Sequence, residues 1–111
     1  MDKYNVEYSK ESKQDLIEIK QYIKYNLQEP ETAQRIISKI RNEINNLKYN
    51  PKICSIIDDD MIKKLEIRKL VVDNYIIFYR IKNYNIEIVR IMYGRRNWIN
   101  LLWPLVITFN F

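Results

Sequence analysis

Residues 65–96 read LEIRKLVVDNYIIFYRIKNYNIEIVRIMYGRR, and this stretch decides the fold. β-Branched and aromatic residues crowd three runs, 65–72, 75–81 and 86–93. Between them stand Asp73-Asn74 and Asn83-Tyr84-Asn85, residue types that tolerate tight turns, so the spacing predicts a three-strand antiparallel meander. Gly94 breaks the last run, and Arg95 to Leu102 are expected to begin a short helix. Arginine is interleaved throughout: Arg68, Arg80, Arg90, Arg95 and Arg96 are five of the seven in the chain. Residues 61–111 hold nine Lys/Arg and three Asp/Glu, a net of +6, whereas residues 1–60 hold ten and eleven, a net of −1. A basic sheet beside a nearly neutral half implies a polyanionic partner or an acidic protein one. Planar guanidinium forks suit phosphate or carboxylate.

Upstream, YNVEY at 4–8 alternates and predicts an opening strand. Ser9 offers a helix cap, and Ser12 with Asp15 three residues later offers a second, box-like one. Leu16, Ile19, Ile23 and Leu27 recur at helical spacing, predicting a first helix over about 10–27 with a core-facing stripe. Pro30 suits the first turn of a second helix, with Glu29 and Glu31 at its positive end. Ala33, Ile36, Ile37, Ile40, Ile44 and Leu47 supply the inner stripe, and Asn50-Pro51 stops it. Residues 51–64 form an irregular connector. The order is therefore β-α-α-β-β-β-α: an α+β fold, an antiparallel sheet with two long helices packed on one face and a short C-terminal helix. Residues 1–102 make the domain, and 103–111, WPLVITFNF, form an apolar C-terminal tail of no assigned role.

Composition bounds the chemistry. At 111 residues, 47% hydrophobic and 30% charged, the chain is one globular domain rather than a disordered one. No run approaches the ~20 apolar residues of a spanning helix. The amino terminus MDKYNVEYSK lacks a signal-peptide core, so the expected location is cytoplasmic, with no membrane partner. Cys54, the only cysteine, excludes an internal disulfide and a Cys-based zinc site. Histidine is absent, which removes the commonest acid–base group and metal ligand. Asp58-Asp59-Asp60 reads as a solvated loop, because neighbours on an extended chain point apart and metal ligands must converge. No metal and no cofactor is expected.

The opening YNVEYSKESKQDLIEIKQYI, the LxxxP element Leu47-Lys48-Tyr49-Asn50-Pro51, and then IRKLVVDNYIIFYRI and IVRIMYGRRNWINLL together resemble the RelE/ParE family of bacterial type II toxin–antitoxin toxins. The resemblance spans residues 4–102. It implies a small basic toxin neutralised by a cognate acidic antitoxin, the complex reaching operator DNA through the antitoxin. RelE-like members cleave mRNA on the ribosome, and ParE-like members poison DNA gyrase. The nuclease pattern places an arginine after the first tyrosine of the second meander strand, yet Ile76 follows Tyr75 here. Its second arginine, two residues after the strand-ending glycine, matches Arg96. Many relatives carry histidine where Tyr93 stands, and residues 97–102 lack the tyrosine or histidine that nucleases place in the last helix. The long first helix with DLIEIKQYI resembles the ParE-like branch.

Cleavage by 2′-hydroxyl attack needs a base, cationic stabilisation of the phosphorane and an acid. If the chain is a nuclease, Arg96 and Tyr93 are its catalytic candidates, and Lys69, Glu66 or Glu87 must supply the base. A binding poison asks only for a hot spot, for which Arg68, Arg90, Arg95, Arg96 and Trp98 are the target-binding candidates. Gyrase poisoning is the expectation carried forward. The ribosome-dependent endoribonuclease is the first alternative, and a non-toxic antitoxin- or operator-binding module the second. Tyr75 and Tyr79, sharing one strand face, read as packing residues.

Overall fold

The computed structural model describes residues 4–60, 62–94 and 102. Along the chain come β1 (Asn5–Tyr8), α1 (Lys10–Gln21), a π-helical turn (Tyr22–Asn26), α2 (Pro30–Asn46), a 3-10 turn (Lys63–Leu65), β2 (Arg68–Val72), β3 (Tyr75–Lys82) and β4 (Asn85–Tyr93). The α+β class and the order of these elements match the sequence expectation. The final helix lies outside the described residues apart from Leu102, which is fully buried.

The meander forms as read. β2 pairs antiparallel with β3, and β3 with β4. Asp73 (φ 52) and Asn83 (φ 58) take the left-handed backbone that these short polar types tolerate. β2 starts later than the apolar run suggested. Residues 63–65 coil into the 3-10 turn, Glu66 turns at φ 54, and the Ile67 carbonyl accepts from Ile57 N–H at 2.8 Å.

The sheet order is β1-β4-β3-β2, and β1 corrects the antiparallel expectation. It runs parallel to β4, with Asn5 opposite Asn85 and Tyr8 opposite Ile88, so the sheet is mixed. Tight turns force antiparallel neighbours, but between β1 and β4 the chain runs through two helices, the connector, β2 and β3, a connection long enough to deliver a parallel partner. Nothing in four alternating residues fixes that direction.

Both faces of the sheet are covered. On one, Leu16, Ile37, Ile40, Ile44 and Leu47 of the helical hairpin pack on Val72, Ile77, Tyr79, Ile86, Ile88 and Ile91. On the other, Ile57, Ile62 and Leu102 pack with Ile67, Ile76, Phe78, Val89 and Met92. The connector is therefore a lid on the second face as well as a link. Each Ile or Leu buried this fully stabilises by roughly 1.5–3 kcal/mol. The LxxxP element ties the two layers. Leu47 enters the helix-side core, and the Pro51 carbonyl accepts the Tyr79 hydroxyl at 2.7 Å. Burial first, and then neighbouring Cys54, holds that hydroxyl well above the usual tyrosine range, so it stays a donor.

Candidate functional site

The site is built from a fixed end and an open end of the helical hairpin. At the fixed end Ser9 caps α1 as expected, its Oγ accepting from Ser12 N–H at 2.9 Å and donating to the Val89 carbonyl at 2.8 Å. Ser12 returns its hydroxyl to the Ser9 carbonyl at 2.9 Å. The box-like cap through Asp15 does not form. Its carboxylate instead crosses to β4 and accepts from Arg90 Nε at 2.8 Å, Arg90 Nη2 at 2.9 Å and Ile91 N–H at 2.9 Å.

A bulge makes this reach possible. Phe78 lies opposite Arg90 and Tyr79 opposite Ile88, which leaves Val89 as an extra residue on β4. Alternation breaks there, so Arg90 meets α1 while adjacent Ile91 still enters the helix-side core. Asp15 is 8% exposed, and its hydrogen bonds are the largest cause holding the Arg90 guanidinium above its ordinary range.

At the open end, α1, the π-helical turn and the first turns of α2 overhang the β2–β3 turn and the end of β4. They enclose a groove of about 1030 Å³ lined by Ile19, Leu27 and Ile36, by Tyr22, Tyr75 and Tyr93, and by Arg35 and Asp73. In the π turn Leu27 N–H donates to the Tyr22 carbonyl at 3.2 Å, a wider ring than the α-helical one. Leu27, read as core from its spacing, is 48% exposed, and Tyr22 is 55% exposed. The apolar stripe simply runs further than the sheet beneath it. Tyr75 and Tyr93 stack edge to face with centroids 5.8 Å apart. Burial, then Tyr93 and Tyr22, raises the Tyr75 hydroxyl, so it acts as a donor and not as a base. Gly94 closes this corner. Its N–H reaches the Asn74 carbonyl at 2.7 Å, and a Cβ there would sit 3.2 Å from that oxygen and from Ile76.

Of the catalytic and target-binding candidates among the described residues, Tyr93 lines the groove with its side chain unpaired by any ion. Arg90 lines it too, committed to Asp15. Arg68 lies elsewhere, donating to the carbonyls of Cys54 and Lys52 and so pinning the connector. Arg95, Arg96 and Trp98 lie outside the described residues. The candidate bases do not join Tyr93. Glu87 pairs with Arg80 at 2.9 Å, six residues back along β4, which is about 20 Å at the usual strand rise. Glu66 is exposed in its turn, and Lys69 sits on β2 at the far edge of the sheet from β1. Arg35, Tyr22 and Asp15 were missed as site residues. Only Leu27, apolar beyond the end of a sheet-length stripe, signalled that the hairpin overhangs.

A sheet carrying a two-helix hairpin on one face, with an aromatic groove at the open end, defines the class to which the comparisons point. Residues 6–98 match the family model described as ParE toxin of type II toxin-antitoxin system, parDE. The chain belongs to that family. A solved structure described as a chromosomal ParDE TA system from P. aeruginosa shares the fold, with a TM-score of 0.66 and 18% identity over 82% of this chain and 96% of that one. Among curated proteins, no sequence matches this one. Among the described residues, no helix is long and apolar enough to cross a membrane.

Proposed function

We propose that this toxin arrests growth by binding and poisoning DNA gyrase, and that an acidic antitoxin neutralises it. One observation carries the choice of a binding poison over a nuclease. Among the described residues, every carboxylate lining the groove with Tyr93, the catalytic candidate there, is already engaged: Asp15 by Arg90, Asp73 by Lys39 and Glu18 by Gln14, while Glu87 lies at the other end of β4. Ile76 adds to this, being a buried apolar residue at the position of a nuclease arginine. Loss of one charge-stabilising group costs about a hundredfold or more in rate. The antitoxin reading rests on the net charge of +5 and on the apolar groove, which suits an amphipathic partner segment. Arg95, Arg96 and Trp98 are the residues proposed to meet the target.

The test is induction of the chain alone, followed in parallel by gyrase supercoiling with cleavage-complex trapping and by mapping of mRNA ends. Trapped gyrase complexes with intact mRNA are expected, and the folded Arg95→Glu/Arg96→Glu double variant should not arrest growth. Codon-positioned mRNA cuts with supercoiling untouched would replace this reading with the ribosome-dependent nuclease, and Tyr93 and Arg96 would then be its first residues to mutate.

A further inference from the structure

The groove carries two acids and one cation whose pairing is complete. Asp15 is held by Arg90, and Asp73 by Lys39 at 2.8 Å. Glu18 accepts from Gln14 at 3.3 Å. Arg35 is different. Among the described residues it is the one groove-lining cation with no ion pair, although Glu31 stands one helical turn before it. Around it the walls are Ile19, Leu27 and Ile36, and the hydroxyls of Tyr75 and Tyr93 add donors without charge.

From this we propose that the groove takes a protein segment in which one carboxylate stands between apolar side chains, and that Arg35 reads that carboxylate. The assignment rests on the antitoxin reading above and names the chemistry its docking segment presents. A nucleic-acid strand fits poorly, because its row of phosphates would pass the carboxylates of Glu18 and Asp73. A lone carboxylate flanked by Leu- or Ile-like side chains meets one guanidinium and an apolar wall. The guanidinium gains a charge-assisted, fork-shaped contact, and the flanking side chains cover Leu27 and Tyr22.

The probe is a library of short random peptides displayed on phage and selected against the full chain. Selected peptides are expected to carry Asp or Glu with apolar residues three or four positions away. Their affinity, measured by fluorescence anisotropy, should fall about tenfold or more in Arg35→Gln, most of a charge-assisted contact. Arg35→Lys should keep part of it, and Ile36→Asp should abolish binding by charging the wall. Lys24→Gln, a cation outside the groove lining, should change nothing. Arg35 is exposed, so urea midpoints of its variants should stay put and their affinity losses report on the contact itself. Ile36 packs against the helix-side core, so its variant is to be assayed where its own urea midpoint shows it folded. Peptides without carboxylates, binding unmoved by Arg35→Gln or Ile36→Asp, or no enriched peptides at all would each overturn the assignment. Growth rescue separates it from its parent. A partner that neutralises wild type and Arg35→Gln equally sinks only the role of Arg35, whereas the lack of any neutralising partner sinks the antitoxin reading while the peptides still judge the groove.

Discussion

The two ends of the helical hairpin sit over the same sheet and are built on opposite terms. At the start of α1, three polar side chains, Ser9, Ser12 and Asp15, are bonded across to β4 or to one another, and Ser12 and Asp15 are buried. At the turn between α1 and α2, Tyr22, Tyr25 and Leu27 stand in solvent beside an open groove. One end is satisfied internally and the other is left for something else to cover. The contrast teaches that polar burial here fixes position, while the apolar exposure is where binding is to be sought.

The comparison breaks most readily at Asp15. Asp15→Ala strands the Arg90 guanidinium and the Ile91 N–H, and chemical denaturation should show a loss of about 3 kcal/mol, the cost of removing one partner from a largely buried pair. Asp15→Asn keeps the shape and should lose less. A midpoint unchanged in both would mean that the fixed end is not fixed by this carboxylate.

The next effect tests the tie beneath the hairpin. Tyr79→Phe removes the hydroxyl bonded to the Pro51 carbonyl and should cost about 1–1.5 kcal/mol by thermal or urea unfolding. pH gives the same bond a second readout. The folded-state values of Tyr79 and Tyr75 are raised above the unfolded value near 10, so their stabilisation is complete below about pH 10. It should be lost as pH rises through the folded values, and Tyr79→Phe should flatten that alkaline loss. Equal alkaline slopes in both proteins would remove Tyr79 as its source.

Smaller still is the cap. Ser9→Ala should cost about 1 kcal/mol, and Ser9→Gly less, by the same denaturation assay. At the open end the sign of the comparison reverses. Tyr22→Ser and Leu27→Ser, at exposed positions, should move stability by no more than about 0.5 kcal/mol, and Leu27→Ser should weaken the selected peptides. A large destabilisation at either would show that this end too serves the fold.

Much of the fold was legible because period and punctuation carried it. The meander follows from apolar runs separated by Asp73-Asn74 and Asn83-Tyr84, and α2 from Pro30 and its stripe, and both elements form there. The parallel seating of β1 was not legible, since strand direction is set by the crossover and not by YNVEY. The site was harder. Asp15 looked like a cap because its only visible neighbours in sequence were Ser12 and its own helix, whereas its partners come from β4. The bulge that presents Arg90 to it is one residue of mismatch between two strands, invisible in either strand alone. Arg68 and Arg90 were counted with the available positive charge, but both serve the frame.

The seating of β1 also bears on when the protein comes into being during synthesis. Its whole ladder is made with residues 85–88, and Ser9 and Asp15 bond to Val89 and Ile91. A chain emerging from the ribosome therefore holds its first strand and the start of α1 without partners until β4 has left the exit tunnel. Such sequence-distant closure makes folding slow relative to locally connected domains of equal size. Products cut short before residue 85 lack both the neighbour of β1 and the residues that anchor Asp15, so such a chain cannot assemble the groove over the sheet.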